Sequence, residues 1–440
     1  MARPRSDEPG TDLDALRALA QAELPALDSD ALSLPGGRGL RIALSSDVTG
    51  LESFRVVAAS GGAPLAALAV GPAAGVDAFG ATAHHLGAPA LGYDLRASGG
   101  SAVLAAGEPE PNLACRLEGW RAPSPAPEGG AAAEGGPAST TEGLAVRLVA
   151  RARAARVPDV ETRLDGSLGG RTRFVTSQAE AGLMEDGLAL ALESVTGDGD
   201  PFWAAVEGVA RVARRLACVG AEPLGLALRF GVAPQEGADR VEQACMGVRQ
   251  ACLSLALPLA EVAVEPGGPD LLVAGLGLVE GCLGPVDLAA PDAKGLALAG
   301  ARCAGRRGRK ALDGLFLLGP AQAHEAEGLA LDLELRLQAC VREGVRLGLL
   351  RSAAEVRAGG LLGSAADVAG AFGVQLFLAA GTDLGSEAPG RVLATAGGEG
   401  EGALRTLCAT HGVPLAKVGV LGGGRLALAL GGDPVVDLEF

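Results

Sequence analysis

Residues 200–223 read DPFWAAVEGVARVARRLACVGAEP. Asp-Pro opens a helix, and small or aliphatic residues then return at helical spacing through Ala204, Val209, Ala213 and Leu216. Val-Gly-Ala-Glu-Pro turns the chain into an apolar strand at Leu224–Leu228. Inside that helix stand Arg211 and Arg215, four residues apart and therefore on one face. Two fixed cations on a helix that otherwise reads as a packing element set the question for the rest of the sequence.

The bulk numbers bound the answer. With 440 residues the chain has room for two or three domains and a sizeable core. Its formal charge of -15 argues against a nucleic-acid partner. Only Lys294, Lys310 and Lys417 are lysines among the 37 basic residues, so any grip on phosphate falls to arginine. The eight cysteines are scattered through apolar patterns with no CxxC pair, which reads as buried thiols in a reducing compartment. The start, MARPRSDEPGTDLDALRALA, has no apolar signal core, and no run has the length and apolarity of a membrane span. The expectation is a cytoplasmic protein without a membrane or nucleic-acid partner.

Working outward, residues 1–120 read as a small α/β domain. It has an amphipathic helix near Leu13–Leu24, short strands at Leu40–Leu44, Phe54–Ala58, Pro64–Val70 and Ala102–Ala106, and a helix near Val76–Leu86. Residues 121–143 (RAPSPAPEGGAAAEGGPASTTEG) are rich in Pro, Ala, Gly and Ser and read as a linker. After a helix at Leu144–Arg156 come two blocks of strands, long helices and Gly-rich turns, at 144–288 and 289–440. The second contains strands at Leu315–Leu318, Val374–Leu378, Arg391–Ala394, Val418–Val420 and Leu426–Leu430, and a helix at Leu329–Leu349. The fold class is layered α/β, with strands and helices mixed as in α+β proteins.

Several segments after the linker resemble, in order, those of formylglycinamidine ribonucleotide synthase, an ATP-dependent amidating enzyme of purine synthesis. The helix at 200–223 is similar, without a gap, to the family's DPYEGAKAAVAEAARNLAAVGARP. Arg163–Arg173 (RLDGSLGGRTR) resembles QYDxxVxGxT, and Gln178–Leu192 resembles the GGDAAVLR…GLAL hairpin. Gly247–Pro258 (GVRQACLSLALP) resembles RGxxEACRALGIP, and Leu272–Glu280 resembles PVVGVVGLIED. Ser352–Gly360 (SAAEVRAGG) resembles SAHDVSEGG, Glu387–Arg391 (EAPGR) resembles ESQGR, and His411–Pro414 with Gly419–Arg425 resembles HGVP…GxVGGDR. The resemblance implies a PurM-like module of two subdomains, an N-terminal-like one at 144–288 and a C-terminal-like one at 289–440, the length of one half of the family's duplicated core.

What the resemblance implies for chemistry is divided. In the family an Asp, a helical Glu and Asn, and a second Asp converge on magnesium and a nucleotide phosphate, because Mg²⁺ takes hard oxygen ligands. Here those positions are Glu180, Arg211, Arg215 and Glu355. Asp200, Arg229, Glu387 and Arg391 match further nucleotide-site positions. An arginine keeps its proton and offers no lone pair, so two of the four ligands are gone. The family's CLNFGNP loop has become Ala227–Pro234 (ALRFGVAP), and a longer loop is cut to Glu261–Glu265. ATP and Mg²⁺ are the cofactors the family implies, but the residues offer no metal site and no catalytic residue. Three arrangements stay open for Arg211 and Arg215: an ion-pair cluster with Glu180 and Glu355, a solvated helix face, or a seat for an anion.

Other candidates are read as structural. His84 and His85 lack further ligands at metal spacing, His411 opens a turn, His324 starts a polar helix, and Gly422–Gly424 is a tight turn rather than a phosphate loop. Arg302–Lys310 is a short basic loop. Two functions follow: participation in the ATP- and glutamine-dependent amidation of formylglycinamide ribonucleotide, or a non-catalytic structural or regulatory subunit that retains the fold. Selenophosphate synthetase, thiamine-phosphate kinase and hydrogenase maturation factors share the architecture, and the RGxxEACRALGIP- and HGVP-like segments weigh against them. In the superfamily the first subdomain's sheet pairs with a second copy, so the chain is expected to form a homodimer or to join a larger synthase chain.

Overall fold

Asp200 stops an extended stretch and caps the helix Pro201–Cys218, accepting hydrogen bonds from the amides of Phe202 at 2.9 Å and Trp203 at 3.4 Å. Pro201 follows at the first helical position, where its missing N–H would have had no partner anyway. The computed structural model describes residues 13–24, 140–154, 181–183, 188–195, 199–232, 238–266, 270–279, 310–321 and 329–439, together with strand backbone at 33–34, 38–45, 52–59, 66–72, 90–95, 100–106 and 160–161. Glu180, His84, His85, His324, most of Arg302–Lys310 and the helix expected at Val76–Leu86 lie outside the described residues.

In chain order, α1 (Leu13–Glu23) precedes β1 (Ser33–Leu34), β2 (Arg38–Ser45), β3 (Glu52–Ala59), β4 (Ala66–Pro72), β5 (Ala90–Leu95) and β6 (Gly100–Ala106). Helix α2 (Thr141–Ala154) follows, starting inside the segment 121–143 that reads as linker. Then β7 (Val160–Glu161) pairs with β5, giving an antiparallel sheet in the order β1-β2-β3-β4-β6-β5-β7.

The second sheet holds β8 (Gly182–Leu183), β9 (Leu188–Val195), β10 (Ala221–Val232), β11 (Leu259–Pro266) and β12 (Leu271–Val279). Two helices cover it: α3, the Pro201–Cys218 helix, and α4 (Ala238–Ser254). The order is β11-β10-β12-β9-β8, with β10 and β11 parallel because α4 carries the crossover between them. The hydrophobic core lies between Leu226, Leu228, Phe230 and Val232 of β10 and the apolar sides of α3 and α4. Leu16 and Ala20 of helix α1 and Leu24 just after it join this core.

The third sheet contains β13 (Gly314–Leu318), β14 (Ser352–Glu355), β15 (Val374–Leu378), β16 (Val392–Ala396), β17 (Leu415–Leu421), β18 (Arg425–Leu430) and β19 (Asp433–Glu439). Its order is β14-β16-β13-β17-β15-β18-β19, antiparallel except for β15 with β18. Helices α5 (Leu331–Arg346), α6 (Gly360–Ala369) and α7 (Glu401–His411) belong to this module. Helix α2 packs on α6 and buries Ala145 and Leu148 in the core of this module, although in sequence it precedes the second sheet. Gly422, Gly423 and Gly424, all at positive φ, make the β17–β18 turn that the sequence indicates. No described helix is long and apolar enough to cross a membrane.

The two modules meet along α3, which touches the second sheet on one side and α5 and β14 on the other. Ala217 and Cys218 at its end join the core formed by Phe316, Leu337, Val341 and Leu404. Gly247 lets α4 come close to the first turn of α3, since a Cβ there would lie 2.2 Å from the carbonyl oxygen of Phe202. Gly247→Ala is therefore expected to force the helices apart and to cost about 1–3 kcal/mol in urea unfolding. An unchanged midpoint would mean that the α3–α4 contact is looser than described.

Candidate functional site

Where the family resemblance puts metal ligands, the structure gathers arginines around a carboxylate. Glu355 ends β14 and is 1% exposed. Its Oε1 accepts from Arg214 Nη1 and has Arg211 Nε at 3.2 Å, while Arg215 Nε stands 3.5 Å from its Oε2. Arg214, itself 0% exposed, grips Glu334 of α5 with two bonds, Nε to Oε1 at 2.9 Å and Nη2 to Oε2 at 3.0 Å. Gln338, one turn further along α5, donates to Glu334 Oε1 at 2.8 Å and to the carbonyl of Ala210 at 3.4 Å.

On the wetter side, Glu193 of β9 joins the two arginines that the sequence singles out. Arg211 Nη1 donates to its Oε1 at 3.1 Å, and Arg215 Nη1 sits 2.7 Å from its Oε2. Arg211 also donates to Glu207 on its own helix, an i, i+4 pair. The cluster thus alternates Glu207, Arg211, Glu193, Arg215, Glu355, Arg214 and Glu334, and it bridges both modules. Of the expected ion-pair cluster, Arg211 and Arg215 do meet Glu355, while Glu180 lies outside the described residues and Glu193, Glu207 and Glu334 are partners that the sequence reading did not name.

Burial and charge compete at Glu355, and charge wins. Desolvation pushes its carboxyl up, but the guanidinium groups of Arg211, Arg214, Arg215 and Arg357 together hold it below the usual carboxylate range. Burial works against the charge on Arg214 as well, and Glu334 and Glu355 more than offset it, so the proton is held more firmly than on a free arginine. The same holds for Arg211, where Glu355, Glu193 and Glu207 outweigh desolvation. At Glu355, Arg211 and Arg214 the neighbouring opposite charges thus outweigh burial.

The remaining sequence candidates are dispersed. Asp200 is an exposed helix cap. Arg229 lies in β10 and pairs with Glu265 at 3.6 Å, apart from the cluster. Glu387 is held by Arg151 at 2.9 Å and accepts from the amide of Gly359 at 2.9 Å, tying its loop to α2 and to the start of α6. Arg391, 1% exposed, donates to the carbonyls of Ser386 and Ala388 and braces the same loop. Arg214 and Glu334 were not singled out from the sequence, and a signal for the first existed. Arg214 stands in the row Val206, Ala210, Arg214, Cys218, whose other members are all apolar and fully buried.

The donor set does not suit magnesium. Mg²⁺ requires oxygen ligands at about 2.1 Å in octahedral array, whereas the acidic oxygens here face fixed cations. No group of three or more His, Cys, Asp or Glu side chains among the described residues could hold a metal ion. Glu355→Gln should leave the arginines short of a buried counter-charge and cost about 3–5 kcal/mol in denaturant unfolding at neutral pH. The depressed Glu355 pKa also fixes a sign. Its contribution is complete above the ordinary carboxylate range and is lost as pH falls through the folded-state value, because the unfolded chain then binds more protons. Stability of the native sequence should drop on acidification more steeply than that of Glu355→Gln; parallel curves would contradict this.

A family model, AIR synthase related protein, N-terminal domain, matches residues 182–279, which span β8 to β12 with α3 and α4. The phosphoribosylformylglycinamidine synthase subunit PurL of Thermomicrobium roseum is 31% identical over 262 residues, 52% of this chain and 34% of the relative. That of Synechococcus sp. strain WH7803 is 29% identical over 288 residues, 54% of this chain and 35% of the relative. The chain thus spans about a third of the length of these relatives. Among solved structures, T. maritima PurL complexed with ADP aligns at 15% identity with a TM-score of 0.49, over 61% of this chain and 46% of that one. Residues 182–279 thus match an AIR synthase related N-terminal domain in a layered α/β setting, and the chain is similar to a part of the phosphoribosylformylglycinamidine synthase subunit PurL.

Proposed function

We propose that the chain is a synthase-like module of purine biosynthesis whose nucleotide and magnesium seat has become an internal ion-pair lattice, and that it works as a non-catalytic structural or regulatory subunit. One observation carries this reading: Glu355 and Arg214 are 1% and 0% exposed and bonded to each other, at a position where the family resemblance calls for a magnesium ligand. An ion entering there would have to displace three guanidinium groups from a desolvated carboxylate, and it would leave them short of one counter-charge that they share. Binding of that kind is strongly opposed.

The rest of the reading is support by kinship. The matched relatives are PurL subunits, and this chain matches only a part of them. A module that keeps the layers and loses the ligands can still present the surfaces through which such subunits associate. The proposed setting is the cytoplasm, beside a larger synthase chain that performs the ATP- and glutamine-dependent amidation of formylglycinamide ribonucleotide.

The competing outcome is a working enzyme, and calorimetry separates the two. Titration of the purified chain with ATP and magnesium is expected to give no binding heat at micromolar ligand, with no ATP hydrolysis above the buffer rate. Micromolar affinity or turnover would overturn the non-catalytic reading and return Asp200, Arg211, Arg215, Glu355, Glu387 and Arg391 to a nucleotide site.

A further inference from the structure

Helices α5 and α7 meet through a row of matched residues. Arg336 Nη1 donates to the carbonyl of Gly412 at 2.8 Å, and Glu343 Oε2 lies 2.8 Å from His411 Nε2. At Gly344 the approach is close enough that Leu407 Cδ2 stands 3.5 Å from where a Cβ would be. Within this row the Sγ atoms of Cys340 and Cys408 touch at 3.6 Å. Both are unoxidised thiols, 0% and 1% exposed, in the apolar cluster of Phe316, Leu337, Val341 and Leu404.

The pair is asymmetric. With the Cys340 thiol donating, its proton is held above the usual range, first by that bond and then by burial. Cys408, as the acceptor, is held below the usual thiol value by the same bond, against its burial. Cys245 and Cys252 of α4 show the contrast: burial, the largest influence on each, pushes their thiols up to about 12. A thiol in contact with a second thiol also has a resolving partner, so its first oxidation product can be captured as a disulfide.

We propose that Cys340 and Cys408 form a redox modification site, at which a hydroperoxide such as hydrogen peroxide joins α5 to α7 by a disulfide. The Cys408 sulfur attacks the O–O bond and takes up an OH group as sulfenic acid, and its own proton leaves with the other oxygen as water. The Cys340 sulfur then displaces that OH group, which takes the Cys340 proton and departs as a second water. Two thiols and one hydrogen peroxide thus become one disulfide and two waters. A disulfide sets its sulfurs about 2.05 Å apart, so they must close by roughly 1.6 Å from their present contact. Helix α7 has 11 residues and a solvated outer face, and its local opening admits the peroxide. The bond fixes the helix that carries Glu334 and Gln338, the partners of Arg214 and of the Ala210 carbonyl. The site itself does not depend on whether nucleotide binds.

The test uses the full chain, folded and reduced. It is treated with hydrogen peroxide in modest excess, denatured in an alkylating reagent and digested for mass spectrometry. The expected product is a peptide pair joined through Cys340 and Cys408, two hydrogen atoms lighter than the reduced pair, with Cys218, Cys245 and Cys252 still alkylated. Dithiothreitol should restore both thiols. Joining of either sulfur to another cysteine, oxidation past sulfenic acid without a crosslink, or a pair that stays alkylatable while Cys245 and Cys252 react would each overturn the proposal. In Cys340→Ser, dimedone should trap a sulfenic acid on Cys408 at least about tenfold faster than on Cys245 or Cys252. An adduct no faster than theirs would overturn Cys408 as the attacking sulfur. The crosslink is read on the native sequence, so it does not depend on the variant folding.

Discussion

The carboxylate of Glu355 sits at the end of a short strand in one module, and the cations that neutralise it come from a helix of the other. Neither side is tolerable alone. A charged carboxylate with almost no solvent contact needs the guanidinium groups, and Arg214, with no exposure at all, needs Glu334 and Glu355. The two modules are therefore locked by mutual necessity rather than by apolar area alone. Breaking the lattice means rehydrating several ions together, so it behaves as a single latch. Beyond the latch, Ala217 and Cys218 of the same helix share an apolar cluster with Phe316, Leu337 and Val341.

This arrangement explains why two further features of the site are built as they are. Gln338 has one amide group for two acceptors, Glu334 and the Ala210 carbonyl, and so fixes α5 against α3 at the register the ion pairs demand. On the opposite edge of the third sheet's module, Arg151 and Glu387 do comparable work for α2: Gly359 takes a positive φ, and its amide reaches Glu387 because no side chain intervenes. A Cβ on Gly359 would meet the Leu148 carbonyl at 2.3 Å, so the close approach of α2 depends on that residue. Glu387, one of the residues singled out by the sequence resemblance, here ties its loop to α2 and to the start of α6.

Much of the fold was legible because it is written in short-range patterns. The capping pair Asp200–Pro201, the helical spacing of α3 and α5, and the strands β13, β15, β17 and β18 fall within a few residues of their sequence expectations. Arg211 and Arg215 were legible as a pair because they are one turn apart. Glu207 stands one turn before Arg211 and carried the same signal. Glu334 carried none: it lies 120 residues from Arg214, and only the packing of α5 on α3 brings them together. Arg214 was hidden by its neighbours, since in ARRLA it reads as one more solvated arginine; its place in the apolar row from Val206 to Cys218 was the available clue. The expected strand at Leu224–Leu228 proved longer, Ala221–Val232, and it is buried from Gly225 to Val232.

The account stands or falls on whether Glu355 is occupied by arginine or available to a metal. Crystals soaked in manganese and a non-hydrolysable ATP analogue, recorded for anomalous scattering, test this directly. The account predicts no anomalous peak within coordination distance of Glu355, about 2–2.5 Å, with Arg211, Arg214 and Arg215 still seated on their carboxylates. A peak bonded to Glu355, with the guanidinium groups swung away toward the nucleotide phosphates, would contradict it.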